Sequence, residues 1–306
     1  MISIGKAPVA ERESLNGATL HQEGDARHRS RRAEVFRRLV HHKGAMSGFV
    51  ILFILVLTAL LAPVIATHDP IEVSSDNLQS PSGAHLMGTD NFGRDIFSRV
   101  VFGARISLQM GIVAVLIGTT AGTVIGLVAG HYGGLTDTLL MRVIDALMAF
   151  PGILLALTIA AVLGTGIFNA MIAVGISWIP QFARLVRGNV LQVNAMPYVE
   201  AARSMGASNR RLIVRHVFPN VTTPILVLST LGIASAILIG ASLSFLGLGA
   251  QPPTAEWGAI LNQGRQYMRH AWWMMTFPGI AITITVMSAN LLGDGLRDAL
   301  DPRMKI

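Results

Sequence analysis

Long uncharged runs alternate with short charged islands along the chain. Residues 44–68, 106–136, 146–183, 216–255 and 270–293 contain no Asp, Glu, Lys or Arg. Each exceeds the about 20 apolar residues needed to cross a hydrocarbon core. The runs resolve into six expected spans: Ser47–Ala66, Ile106–Gly130, Leu139–Leu163, Ile167–Phe182, Thr223–Leu246 and Ala271–Leu292. The run after Asp145 is too long for one helix, and Gly164-Thr-Gly166 divides it. Pro151 and Pro180 predict kinks on either side, which membrane helices tolerate where neighbours satisfy the freed carbonyls. The fold class that follows is an all-α, polytopic membrane protein with six transmembrane helices.

The islands order the chain. Residues 1–45 form a polar, basic tail, expected to be disordered over its first thirty residues. Within it, residues 31–43 place Val35, Phe36, Leu39 and Val40 opposite four arginines, the pattern of an amphipathic helix on cytoplasmic headgroups. A charged stop beside the first span is the alternative. The polar lead and the long apolar run also argue against a cleaved signal peptide. Residues 46–67 are the first span and 68–105 an external segment. Residues 104–294 hold the remaining five spans as one core, with an expected cytoplasmic loop at 190–220, and 295–306 are a charged tail. With the N-terminus inside, nineteen Lys/Arg lie on the cytoplasmic side and five outside (Arg94, Arg99, Arg105, Arg265, Arg269). That asymmetry places both termini and the 190–220 loop in the cytoplasm.

The island from Pro197 to Asn220 carries the most local information. Pro197 suits a first helical turn and Glu200 favours the positive helix end. Gly206 stands where a left-handed residue ends a helix, and Ser208 can cap a second one ending by Pro219. The expectation is helix, glycine corner, helix, exposed between two membrane segments. A basic loop with two unpartnered helices is the alternative. In the second span Gly118, Gly122, Gly126 and Gly130 recur every four residues and line one face. Such a face lets a second helix approach closely, although it could also line a ligand path.

Only 13% of residues are charged, against about 25% in soluble domains. The net charge of +7 is explained by arginines flanking the spans, and no basic stretch interleaves aromatics for base stacking. With no cysteine, disulfide and thiolate chemistry are excluded. The three lysines, Lys6, Lys43 and Lys305, sit in no phosphate-cradling glycine loop, and neither a zinc-protease nor a nucleophile-elbow motif occurs. His41 and His42 adjoin Lys43 and read as interfacial. Energy must therefore come from a partner or an ion gradient. An ion-coupled carrier would need ionisable groups at mid-membrane, where only Asp145 qualifies. An i,i+3 pair with Arg142 accounts for it more cheaply.

The residues Glu200, Ala201, Ala202, Gly206, Val217 and Pro219 resemble the coupling-loop signature of ABC importer permeases. Asn209 departs from it, since many members carry an acid there. The resemblance extends over roughly residues 86–302. It includes Gly88-Thr-Asp-Asn-Phe-Gly-Arg-Asp-Ile-Phe-Ser-Arg99, Leu246-Gly-Leu-Gly-Ala-Gln-Pro-Pro-Thr-Ala-Glu-Trp-Gly258 and Gly293-Asp-Gly-Leu-Arg-Asp-Ala-Leu-Asp-Pro302. These segments are similar to the second (C/D-type) permease subunit of dipeptide and oligopeptide importers, a group that includes glutathione and nickel permeases. The likeness implies a type I ABC importer permease fold in a bacterial inner membrane. It implies a homologous permease partner, two ATPase subunits that carry ATP and magnesium, and a periplasmic binding protein. No cofactor is expected in this chain. Glu200, Ala201, Ala202, Gly206, Arg210, Arg211, Val217 and Pro219 are the implied coupling residues. The external loops about His68–Arg105 and Gly247–His270 are candidate docking sites for the binding protein. Alternatively, Trp257, Trp272 and Trp273 mark the outer membrane interface.

Overall fold

A computed structural model describes residues 37–300, which hold helices and no strand. The stretch expected to be disordered, half of the charged tail and half of the expected amphipathic helix lie outside those residues. His42 caps α1 (Lys43–Leu60), its Nδ1 accepting from the Ala45 N–H at 3.1 Å. A short turn, α2 (Ala62–Ile65), completes the first apolar rod.

α3 (Ile96–Tyr132) is 37 residues long, or about 55 Å at 1.5 Å per residue. It begins ten residues before the expected second span. Asp95 starts it by accepting from the Ser98 N–H at 2.8 Å, and Gly133, at φ 65°, stops it. The last residues of the segment expected outside, Arg99 and Arg105 among them, are therefore helical and continuous with the apolar rod. Charge marked the end of the uncharged run and not the end of the helix.

The expected third span is corrected. It is two helices, α4 (Gly134–Met148) and α5 (Gly152–Leu163), meeting at 93°. Pro151 has no N–H to continue α4 and its ring disfavours helical backbone at Phe150; at ψ 133° Pro151 itself is extended, so the chain turns instead of kinking. α6 (Ile167–Asn194) keeps Pro180 inside an unbroken 28-residue helix that extends twelve residues past the expected Phe182. α7 (Pro197–Ser204) and α8 (Asn209–Leu212) follow, then α9 (Phe218–Phe245), α10 (Trp257–Gly264) and α11 (Trp273–Leu300).

Among the described residues four helices are long and apolar enough to cross a membrane, or five if the bent pair is one span. α6 is not among them, because Asn169, Gln181 and Arg184 dilute its apolar run. Six crossings therefore require both α6 and the bent pair to span.

The core has two parts. α3, α5, α6 and α9 enclose Ala114, Val174, Phe182, Val186 and Leu243. The start of α3 packs with α9, α10 and α11 around Ile96, Ile237, Trp257 and Met274. Outside these cores the rods stay apolar. Only 17% of α1's span window is buried, so most of its Phe- and Leu-rich surface is left for lipid or another subunit.

Contact between α3 and α6 is set by glycine. A Cβ placed on Gly118, Gly122, Gly126 or Gly130 would lie 2.6, 2.5, 2.7 or 2.9 Å from the Cβ of Trp178, Phe182, Val186 or Val190. Both helices advance four residues per step, so one register serves four layers. Gly175 returns the arrangement, since its added Cβ would lie 2.7 Å from that of Ile117. These glycines sit where backbones touch, and no path for a ligand runs between them.

Candidate functional site: an exposed helical elbow

The segment between α6 and α9 is built by local rules. Pro197 occupies the first turn of α7, where its missing N–H costs nothing. At the other end Gly206 adopts φ 82°. Its N–H donates to the Arg203 carbonyl at 3.0 Å, and the Ala207 N–H donates to the Ala202 carbonyl at 3.1 Å. This double closure is a Schellman motif, which needs a left-handed residue at that position. Ser208 then caps α8, its hydroxyl accepting from the Arg211 N–H at 3.4 Å.

Pro219 does not end the second helix as expected. Residues Ile213–Val217 form a π turn, and the Phe218 N–H reaches back to the Ile213 carbonyl. The wide turn takes up the proline, which lacks an N–H and whose ring would crowd the carbonyl four residues earlier. Helical backbone thus runs unbroken from Asn209 to Phe245. The second arm of the elbow and the next membrane rod are one body.

Burial divides the named residues into two sets. Ala202 and Val217 are buried, packed with Val199, Leu212 and Val221 in the larger core. Glu200, Ala201, Gly206, Arg210, Arg211 and Pro219 are exposed. Two side-chain contacts tie the elbow to neighbouring helix ends. The Asn194 amide donates to the Gly130 carbonyl at 3.1 Å, and His131 Nε2 lies 3.4 Å from Asn209 Oδ1.

The outward face joins an apolar tip to a basic surround. Met205 is 83% exposed and Val214 62%, with Tyr198 and Phe218 also open. Arg203, Arg210, Arg211 and Arg215 stand around them against a single acid, Glu200. A protruding methionine costs apolar hydration unless something covers it, and methionine adapts to irregular pockets. Sequence reasoning did not single out Met205. Its place immediately before a helix-ending glycine was the available signal.

Two ion pairs brace the same end of the molecule. Arg187 grips Asp137 with two bonds of 2.5 and 2.6 Å, and Arg184 pairs with Asp145. The expected Arg142–Asp145 pair is thus corrected. The Asp145 partner lies on α6, across from the bent pair and not one turn away on its own helix.

At the opposite end of the rods the segments at 68–105 and 247–270 interlock. Arg94 pairs with Asp90 at 2.7 Å, while Arg99 donates to the carbonyls of Pro70 at 2.9 Å and Pro253 at 3.4 Å. The indole N–H groups of Trp257 and Trp273 donate to the carbonyls of Val100 and Thr89 at 2.9 and 3.0 Å. Both rings are buried, so of the three tryptophans only Trp272, 53% exposed, is free to meet an interface. Glu256 is wholly buried. Its carboxylate accepts from the N–H groups of Gly258 and Ala259, both at 2.9 Å, and from the Ser107 hydroxyl at 3.2 Å. The segments at 88–99 and 247–258 are therefore one buttress, with Leu86 and Phe92 open on its surface.

Residues 122–306 match the family described as binding-protein-dependent transport system inner membrane component. Residues 30–81 match the N-terminal TM domain of oligopeptide transport permease C. The chain is 51% identical over 274 residues to the glutathione transport system permease protein GsiD of Escherichia coli O6:K15:H31, covering 89% of this chain and 90% of that one. It is 46% identical over 273 residues to the dipeptide transport system permease protein DppC of Alkalihalophilus pseudofirmus, with coverage of 89% and 90%. Its backbone is similar to a chain of the inward-facing MetNI methionine ABC transporter. The TM-score is 0.53 at 20% identity, over 67% of this chain and 98% of that one.

Proposed function

The chain belongs to the binding-protein-dependent transport system inner membrane components, and from that premise we propose how it works and what it carries. It is a permease subunit of an ATP-driven ABC importer, with ATPase and binding-protein partners. The finer reading is a heterodimer with a homologous permease, driven by two ATPase subunits in a bacterial inner membrane, both termini cytoplasmic. ATP hydrolysis falls to the partners, and this chain needs no cofactor of its own.

The exposed elbow carries the coupling role. Its apolar tip and basic surround are suited to seat in a groove of an ATPase subunit. Two features support transmission of movement: Gly206 holds the corner, and the helical backbone of the second arm passes without a break into α9. A shift imposed at Met205 would reach the membrane as displacement of a whole rod. Ala202 and Val217 keep the elbow seated on the core, while Glu200, Arg210 and Arg211 are the groups placed to meet the partner.

The cargo is proposed to be short peptide of the dipeptide or oligopeptide class. Glutathione is the second reading, favoured by the 51% identity to a permease named for it. Uptake of labelled dipeptide and glutathione in competition, in cells lacking the chromosomal copy, separates the two. Gly206→Pro and Glu200→Arg are expected to abolish uptake while the protein still inserts. Wild-type uptake is expected to stop when ATP is depleted and to survive a proton uncoupler at clamped ATP. The reverse pattern would favour an ion-coupled carrier and sink the reading.

A further inference from the structure

The external segment holds a second constellation, built from residues far apart in the chain. His68 follows the first apolar rod, His85 lies in the loop, and Asp95 caps α3. One ligand atom from each lies within 4.8 Å of the others. Asp95 Oδ1 is 3.0 Å from His85 Nδ1, and Asp95 Oδ2 is 3.9 Å from His68 Nδ1. The two imidazole rings lie side by side, tilted by 32°, with centroids 4.8 Å apart. Ligand atoms about 2.1 Å from a tetrahedral zinc ion stand about 3.4 Å apart, so three atoms within 4.8 Å need to close in by little more than 1 Å to hold one.

Three further observations suit a cation. First, Asp95 and His85 are 2% and 7% exposed, and the Asp95 carboxylate is oriented by the Ser98 N–H and hydroxyl, each at 2.8 Å. Such outer bonds hold a ligand in position before metal arrives. Second, the three side chains open onto a cavity of about 170 Å³ that Asp69, Glu72 and Asp76 also line, with Asp76 Oδ2 3.8 Å from His85 Nε2. No lysine or arginine lines it among the described residues. Third, the nearby arginines are turned elsewhere, Arg94 and Arg99 both facing Asp90 at 2.7 and 3.7 Å. Among the described residues, the carboxylates of the cavity thus have no cationic partner but the histidines.

We infer that His68, His85 and Asp95 form a binding site for a divalent transition-metal cation of the zinc class, with Asp76 or water completing the shell. Imidazole with carboxylate selects such ions over magnesium or calcium, which prefer all-oxygen sites. The bound ion would clamp the outer end of the first rod to the start of α3. The site lies in the external segment, apart from the elbow, and stands whether or not the elbow couples to an ATPase.

The test uses tag-free, full-length protein purified in detergent, stripped with a chelator and then dialysed against zinc alone. Seven other histidines lie outside the cluster, so stoichiometry is read as a difference. Wild type should hold one more tightly bound zinc than His68→Ala, whose site should weaken at least about 100-fold. His68 is partly exposed, so this variant should fold, as an unchanged metal-free thermal midpoint would verify. Zinc should raise the thermal midpoint of wild type and leave that of His68→Ala unmoved. Cobalt in place of zinc should give an intense tetrahedral absorption band in wild type only. Equal zinc stoichiometry and affinity in wild type and the His68→Ala/His85→Ala double variant would overturn the inference.

Discussion

Gly122 and Gly206 are the same residue type placed for opposite reasons. At Gly122 an added Cβ would lie 2.5 Å from that of Phe182 and 2.8 Å from the Ile179 carbonyl oxygen. At Gly206 it would meet nothing within 4 Å, but φ is 82°. Gly122→Val should therefore cost about 1–3 kcal/mol through overpacking, read as a lower thermal midpoint in detergent. Gly206→Ala should cost about 1–2 kcal/mol confined to the elbow, lowering uptake while the midpoint barely moves. Similar behaviour of the two variants in both assays would refute the distinction. Glu256 offers a test by pH. Burial raises its pKa above the ordinary carboxylate value, against the opposing pull of its hydrogen-bond donors. The folded state thus holds that proton more tightly than the unfolded chain does. The stabilisation is full below the ordinary carboxylate range and is lost as pH rises through the elevated value. The midpoint of wild type relative to Glu256→Gln should accordingly be highest in acid and decline toward neutral pH.

Among elements, the informative contrast is between α6 and the bent pair that it braces. Two arginines one turn apart on α6 hold α4. Arg187 does so with a two-pronged grip on a carboxylate that is 18% exposed, whereas Arg184 and Asp145 are both more than half exposed. Solvent screening leaves exposed pairs worth about 0–1 kcal/mol, so Arg184→Ala should be near neutral. Arg187→Ala should cost more, about 1–2 kcal/mol, because a charge-assisted bidentate pair is lost. Thermal unfolding of the two variants in detergent decides the order. The elbow's helices were legible because caps and breakers are local: Pro197, Gly206 and Ser208 each act through their own backbone. The fate of Pro219 was not legible. Whether a proline ends a helix or is absorbed by a π turn depends on what packs against it, here the buried Val217 and Val221.

For the whole molecule, orientation is the quantity to measure. The chain has no cysteine, so single cysteines can be introduced without background. Met205→Cys on the elbow tip and Ala84→Cys in the external loop both sit at exposed positions. An impermeant thiol reagent should label Ala84→Cys in intact cells, and Met205→Cys only after the membrane is opened. Labelling of Met205→Cys from outside would invert the topology and remove the elbow from any cytoplasmic ATPase.

Length, charge spacing and turn chemistry together determined that this chain is a set of apolar rods with a helical corner at Gly206. Desolvation cost and backbone sterics act on single residues and their near neighbours, so a linear reading captures them. Only tertiary structure decided which tryptophans are buried, which carboxylate meets which arginine, and that four glycines face four larger side chains in one register. It alone brought His68, His85 and Asp95 together. Such pairings arise between residues tens of positions apart, and no periodicity along one strand of sequence encodes which distant partner a side chain will meet.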